Sequence, residues 1–305
     1  PILAKQHYHR TGTLRWLDKG LVPLSEAKEH AERHKPSHGA CGKLLLVIPD
    51  GNESNDAAHR LCAAASMAAT DYPVAVGLPR NVWLIRELGN ELIALKTVSK
   101  ERGELEGDPV ARREVHARIS ALSAELEELL RSAFIDATWY VDGSKHRASD
   151  GRTLTRLVSD LVDDTFPNTP IVRSELVNRD KPSSNSQAGV RQLLHAMVNA
   201  PQAENLGISG YPAERGIYGT VLQATGLHRP VSEDECAFCA PDDTTEISDS
   251  FVAMWRAAEA LVDDPDKTTS LDQLYGVWSA RPFGIKAGLL PILALAFIQA
   301  NRSSI

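Results

Sequence analysis

Two cysteines three positions apart, Cys236 and Cys239, have the spacing of half a structural zinc site. His228 lies eight residues before Cys236 and is the candidate third ligand. A closed zinc site needs four ligands, and the other cysteines, Cys41 and Cys62, lie far away in the sequence. Two alternatives therefore stay open, a metal site at these three residues or a polar loop that contains two free thiols.

A single carboxylate follows the apolar run Lys43–Ile48, in the turn Pro49-Asp50-Gly51. A short aliphatic run bounded by turn residues is typical of a strand buried on both faces. In P-loop ATPases an acidic residue at the end of such a strand holds Mg²⁺, so Asp50 is a candidate nucleotide contact. The alternative is that Asp50 only stabilises the turn, because Asp is common in turns of this kind.

The Gly-Lys pair that precedes this run does not form a Walker A loop. Only two residues separate Gly39 from Gly42-Lys43, and Leu44 stands where that loop needs Ser or Thr. The sequence therefore predicts that this chain is catalytically inactive on its own and contains no cofactor.

Two groups of basic residues are candidates for contacts with other molecules. Arg112, Arg113 and Arg118 lie early in a predicted helix, where arginines could reach a partner's nucleotide or a phosphate. A solvated helix face with Glu–Arg pairs is the alternative. Arg281 and Lys286 lie beside the last predicted helices and are the candidate DNA contacts.

The elements that would position these residues follow from hydrophobic periodicity. The runs Lys43–Ile48 and Pro73–Gly77 flank an Ala-rich helix and predict a βαβ unit, and Ala137–Val141 predicts a further strand. Leucines three or four apart predict an antiparallel helical hairpin, Asn81–Lys100 and Pro109–Ala133. Asp108 and Pro109 are typical of a helix start.

The predicted fold class is mixed and mainly α. A small α/β layer over residues 1–150 contains the hairpin at 81–133, and a helical portion follows over 151–305. Residues 270–305 could form a truncated winged helix, because two helices are joined by a turn containing glycine. The apolar run Gly288–Ala300 is too short to span a bilayer and contains Pro291, which predicts a buried core helix.

Composition and charge restrict the function further. The chain has 305 residues, 43% of them hydrophobic and 24% charged, which excludes a disordered or disulfide-dense class. Its formal net charge of −7 argues against non-specific binding of nucleic acid by the chain as a whole. Four cysteines and no visible leader predict a cytoplasmic protein. A start at Pro1 and an end at Ile305 predict an internal piece of a larger protein.

Several phrases of the sequence resemble one protein group in their order and spacing. The phrases are Thr11-Gly-Thr-Leu-Arg-Trp16, Gly107-Asp-Pro-Val-Ala-Arg-Arg-Glu114, Glu175-Leu-Val-Asn-Arg179, Leu206-Gly-Ile-Ser-Gly-Tyr-Pro212, Ala224-Thr-Gly-Leu-His-Arg229 and Pro282-Phe-Gly-Ile-Lys-Ala-Gly-Leu-Leu-Pro291. They resemble the middle region of large bacterial P-loop ATPases of phage-defence islands, of the phage-exclusion (BREX-like) and phage-growth-limitation type.

The resemblance implies a non-catalytic region that links the nucleotide state of a defence NTPase to partner subunits or DNA. ATP and Mg²⁺ would belong to the parent protein, whose Walker A loop would lie upstream, and an oligomer is compatible with this role. Two alternatives from the residues stay open. One is a nucleic-acid-binding module that uses the C-terminal helices, and the other is a stand-alone enzyme with a site near Asp50.

Overall fold

A computed structural model describes residues 1–33, 35–37, 39–69, 71–101, 107–233, 235–263 and 268–302. The chain divides into two compact units. Unit 1 comprises Pro1–Leu3 and Trp16–Val158, and unit 2 comprises Ala4–Arg15, which contains helix α1 (Lys5–Thr11), and Ser159–Ile305. The structure is mixed α/β and about 54% helical, which confirms the mixed, mainly α class predicted from the sequence.

The sheet of unit 1 has six strands in sequence order: β1 (Ile2–Leu3), β2 (Trp16–Pro23), β3 (Gly42–Ile48), β4 (Val74–Pro79), β5 (Ala137–Val141) and β6 (Ser144–Arg147). Strands β2, β3 and β4 are parallel, and the remaining pairs are antiparallel. The strands predicted around Lys43–Ile48, Pro73–Gly77 and Ala137–Val141 are confirmed, as is the βαβ unit.

Helices α2 (Ala27–Glu32) and α3 (Asn55–Ser66) pack on one face of this sheet. Leu45 and Val47 of β3 belong to the core on that face. The alternate residues Leu44 and Leu46 are also fully buried, so β3 is covered on both faces. This explains why β3 has a continuous aliphatic sequence rather than an alternating one.

The predicted hairpin is present as α4 (Val82–Glu101) and α5 (Pro109–Ile135). The two helices contact each other, and Ile85 and Leu92 of α4 and Leu122 of α5 are buried. Glu91 of α4 pairs with Arg118 of α5, and the observed ends differ from the predicted ones by at most two residues. The hairpin is thus confirmed, including the helix start at Asp108, whose carboxylate accepts from the N–H groups of Val110 and Ala111.

We expect Asp108→Ala to lower the local stability of the start of α5 by about 1 kcal/mol, since two backbone N–H groups lose their acceptor. Hydrogen exchange of the first turn of α5 would report this as roughly fivefold faster exchange. Asp108→Asn is the matched control, because Asn caps a helix as well as Asp does. Equal exchange rates in the two variants would contradict the assigned cap.

Unit 2 is mainly helical. Its elements are the second half of α6 (Gly151–Thr165), α7 (Ser184–Asn199), α8 (Ala213–Tyr218) with a π-helical continuation at Gly219–Gln223, the paired strands β7 (His228–Pro230) and β8 (Cys236–Phe238), α9 (Glu246–Asp249), α10 (Val252–Val262), α11 (Leu271–Ser279) and α12 (Leu290–Ala300).

Helix α12 lies in the core of unit 2. Ile292, Leu293, Ala296 and Phe297 are all buried, which confirms the core helix predicted for the apolar run. The described residues of the range 270–305 form only the two helices α11 and α12, so the winged-helix arrangement predicted there is not confirmed. In the described portion of the chain no helix is both long enough and apolar enough to cross a bilayer.

Candidate functional site

Asp50 lies at the carboxyl end of β3, as predicted, and its side chain is exposed. In the same loop, the N–H of Gly51 donates to the Glu53 carboxylate at 3.2 Å. At the end of the neighbouring strand, Arg80 pairs with Asp136 at 3.5 Å beside a cavity of about 60 Å³. Ligand pockets are usually about 300 Å³ or larger, so this cavity is too small for a nucleotide.

The three arginines of α5 do not form one cluster. The guanidinium of Arg118 donates to Glu91 of α4, with Nη2 at 2.7 Å and Nε at 3.1 Å from Oε1. Arg112 and Arg113 are exposed. Because each residue turns an α-helix by about 100°, Arg112 lies about 120° away from Arg118 around the helix. The pairing with Glu91 favours the interpretation of a solvated face for Arg118.

Both ring nitrogens of His228 have protein partners. A carbonyl oxygen can only accept, so Nε2 donates to the oxygen of Pro201 at 2.9 Å and Nδ1 accepts from the Tyr218 hydroxyl at 2.9 Å. Burial lowers the pKa of His228, which keeps the ring neutral.

The two candidate cysteine ligands have different surroundings. Cys236 is buried in β8, and the thiol of Cys239 points to the carbonyl of Ala237 at 3.6 Å. Over the described ranges, no group of three or more His, Cys, Asp or Glu side chains could hold a metal ion.

The two candidate DNA contacts differ in accessibility. Arg281 is exposed in the turn that follows α11. Lys286 is only 8% exposed, and its ammonium donates to the carboxylate of Asp180 at 2.7 Å. Because this ammonium is already paired and largely buried, its placement favours a structural role.

A buried polar network in unit 2 was not predicted from the sequence. Arg15 is 4% exposed, and its Nη2 donates to the carbonyl of Gly284 at 2.6 Å while its guanidinium stacks on Phe166, 3.9 Å from the ring centroid. Its Nε donates to Nε2 of His7 at 3.2 Å, and Nδ1 of His7 lies 2.5 Å from Oδ1 of Asp163.

The direction of these hydrogen bonds fixes the state of His7. A guanidinium has no acceptor, so Nε2 of His7 accepts from Arg15 and the ring proton lies on Nδ1, which donates to Asp163. Burial, which outweighs the opposing hydrogen bond to Asp163, and the positive charge of Arg15 together lower the pKa of His7 to about 4. His7 is thus a neutral link between Asp163 and Arg15.

Three of the phrases that carry the family resemblance meet at this network. The amide of Asn178 donates to the carbonyls of Gly12 and Val172 at 3.0 and 2.9 Å. A Cβ at Gly284 would lie 2.5 Å from Nη2 of Arg15, which requires glycine at this position. Residues of these three segments therefore stabilise the fold of unit 2. The spacing within each segment gives no indication that the three lie together.

The hairpin carries an open groove on its surface. A groove of about 340 Å³ lies between α4 and α5, and we call it the hairpin groove. Its lining residues are Leu84, Leu88, Glu125, Glu128, Leu129 and Ser132. Trp83, Ile93 and Val110, elsewhere on the hairpin, are 64%, 65% and 68% exposed. The hairpin thus leaves apolar surface uncovered along much of its length.

Comparisons of the chain with family models, with curated proteins and with solved structures found no match. The defence-ATPase resemblance therefore rests on the sequence phrases, and the function it implies is a proposal.

Proposed function

We propose that this chain is a non-catalytic regulatory and coupling region of a bacterial anti-phage defence NTPase. In this role it links the nucleotide state of the parent protein to a partner subunit, and the hairpin is the contact surface. The observation that carries the proposal is the apolar groove of the hairpin, lined by Leu84, Leu88 and Leu129. Contiguous apolar surface of this kind is typical of protein–protein contact sites.

Two further features support a coupling role over a catalytic one. Asp50 is exposed, and the cavity at the end of the adjacent strand is small. The strongly perturbed His7 is shielded from solvent and bonded at both ring nitrogens, so it has no free lone pair for proton transfer. In this proposal ATP and Mg²⁺ bind elsewhere in the cytoplasmic parent protein.

ATP turnover by this chain tests the proposal. We expect no hydrolysis above the buffer background with Mg²⁺ present, and no difference between the wild type and Asp50→Asn. Because Asp50 is exposed, this substitution leaves the fold intact. Hydrolysis that disappears in Asp50→Asn would refute the non-catalytic role and favour a stand-alone enzyme.

DNA binding through a winged helix at 270–305 is the second proposal, and the exposed Arg281 supports it. The burial of Lys286 and of α12 weighs against it, since a recognition helix presents a polar face to the groove of DNA. DNA affinity that falls steeply with salt and is lost in Arg281→Ala would support this proposal. Absent or salt-independent binding would remove it.

A further inference from the structure

The hairpin groove has an apolar floor and an acidic rim. Leu84, Leu88 and Leu129 are half-buried and form the floor, while the exposed carboxylates of Glu125 and Glu128 lie along α5. Glu128 also contacts Arg131, but both side chains are exposed, and such a pair contributes little.

The acidic character continues along α4. Glu87 and Glu91 lie three residues after Leu84 and Leu88, which places them beside these leucines on the helix surface. Of these carboxylates, Glu91 is paired with Arg118. Glu87 therefore adds a carboxylate beside the groove on α4, and the two carboxylates of the groove lining, Glu125 and Glu128, both belong to α5.

We propose that the hairpin groove binds a basic amphipathic helix of a partner protein. This inference rests on the proposed function, because it names the class of partner that the hairpin engages. The partner helix would place leucine-type side chains on the floor and lysine or arginine side chains opposite Glu125 and Glu128.

The geometry of the groove favours a helix as its occupant. It lies between two antiparallel helices, and its floor is built from residues four apart on α4 and a leucine of α5. A third helix packed on such a pair fills the groove with side chains spaced three and four residues apart. Amphipathic helices bind hydrophobic grooves in this way.

The rim decides the charge of that helix. Carboxylates beside an apolar seam favour a partner with basic flanking residues and disfavour one with acidic residues. A second copy of this chain that docked groove to groove would bring the two acidic rims together. The charge pattern therefore favours a basic partner of a different sequence.

Two synthetic helices test the inference by fluorescence anisotropy with the full chain. One has leucines at positions i, i+3, i+4 and i+7 flanked by lysines, and the other has glutamate in place of each lysine. We expect saturable binding of the lysine peptide, at least about tenfold tighter than binding of the glutamate peptide.

Charge reversal in the groove should reverse this preference. The double variant Glu125→Lys/Glu128→Lys is expected to bind the glutamate peptide at least about tenfold tighter than the lysine peptide. Glu127→Lys is the control, because it reverses one charge on α5 outside the groove lining and should keep the wild-type preference. Circular dichroism verifies that both variants fold.

Equal binding of both peptides to the wild type, or no binding of either, would overturn the inference. So would a Glu127→Lys effect as large as that of the double variant. A wild-type dimer that the double variant abolishes would identify a second copy as the occupant and overturn the basic helix. If the peptides bind without selectivity and the chain hydrolyses no ATP, only this inference is overturned. If the chain hydrolyses ATP and Asp50→Asn abolishes the hydrolysis, the proposed function is refuted whatever the peptides do.

Discussion

Replacing Arg15 with Met is expected to lower the free energy of unfolding of unit 2 by about 3 kcal/mol. The substitution leaves the carbonyl of Gly284 and Nε2 of His7 without their donor in a buried site, and each unpaired group costs about 1–3 kcal/mol. It also removes the cation stacked on Phe166. Met fills much of the space of the Arg stem, so the loss comes mainly from the polar contacts.

Hydrogen exchange of α12 measures this effect, because its buried amides report the opening of unit 2. A loss of 3 kcal/mol corresponds to roughly 100-fold faster exchange. Arg10→Met is the matched control: Arg10 also contacts Asp163, at 2.6 Å, but its side chain is 44% exposed. Such a pair contributes at most about 1 kcal/mol. Similar effects of the two substitutions would contradict the structural role of Arg15.

Local patterns were sufficient for the elements that are determined locally. The hairpin follows from leucines three or four apart and from the cap at Asp108, and α12 follows from a continuous apolar run. β3 follows from an aliphatic run between turn residues. In each case the residues that identify the element lie within it, so the sequence contains the whole signal.

The placement of Ala4–Arg15 in unit 2 had no such signal. This segment is separated by more than a hundred residues from the helices it packs with, and its contacts are hydrogen bonds such as that between Arg15 and Gly284. Hydrophobic periodicity does not indicate which distant carbonyl a buried arginine will reach. For the same reason, the sequence did not indicate that Lys286, a candidate DNA contact by residue type, pairs with Asp180.

The candidate metal site shows a related limit of spacing. The interval between Cys236 and Cys239 matches a zinc motif, but the ring of His228 is held between Tyr218 and Pro201. The hairpin groove differs, because its leucines are part of the periodic pattern. The sequence predicted that these leucines share a helix face, but which part of that face stays exposed as the groove depends on how the two helices pack.

The neutral His7 leads to the second large effect, a loss of stability in mild acid. An unfolded histidine has a pKa of about 6.5, and burial lowers the folded value to about 4. Below pH 6.5 the unfolded chain therefore binds a proton that the folded unit excludes. The stabilisation is fully present above about pH 6.5 and is lost progressively as the pH falls towards 4.

From these two pKa values, His7 alone should lower the stability of unit 2 by about 2 kcal/mol between pH 8 and pH 5, and by about 3 kcal/mol in full. Urea unfolding at a series of pH values measures how the free energy of unfolding changes with pH, and hydrogen exchange of α12 measures the same slope for unit 2. Burial also lowers the pKa of His228 in the same unit, so the His7 contribution is the slope that His7→Gln removes. His9→Gln, a change at an exposed histidine of the same helix, is the control for the substitution itself. If His7→Gln retained the wild-type slope, His7 would titrate at an ordinary pKa and the hydrogen bond from Arg15 to its Nε2 would be wrong.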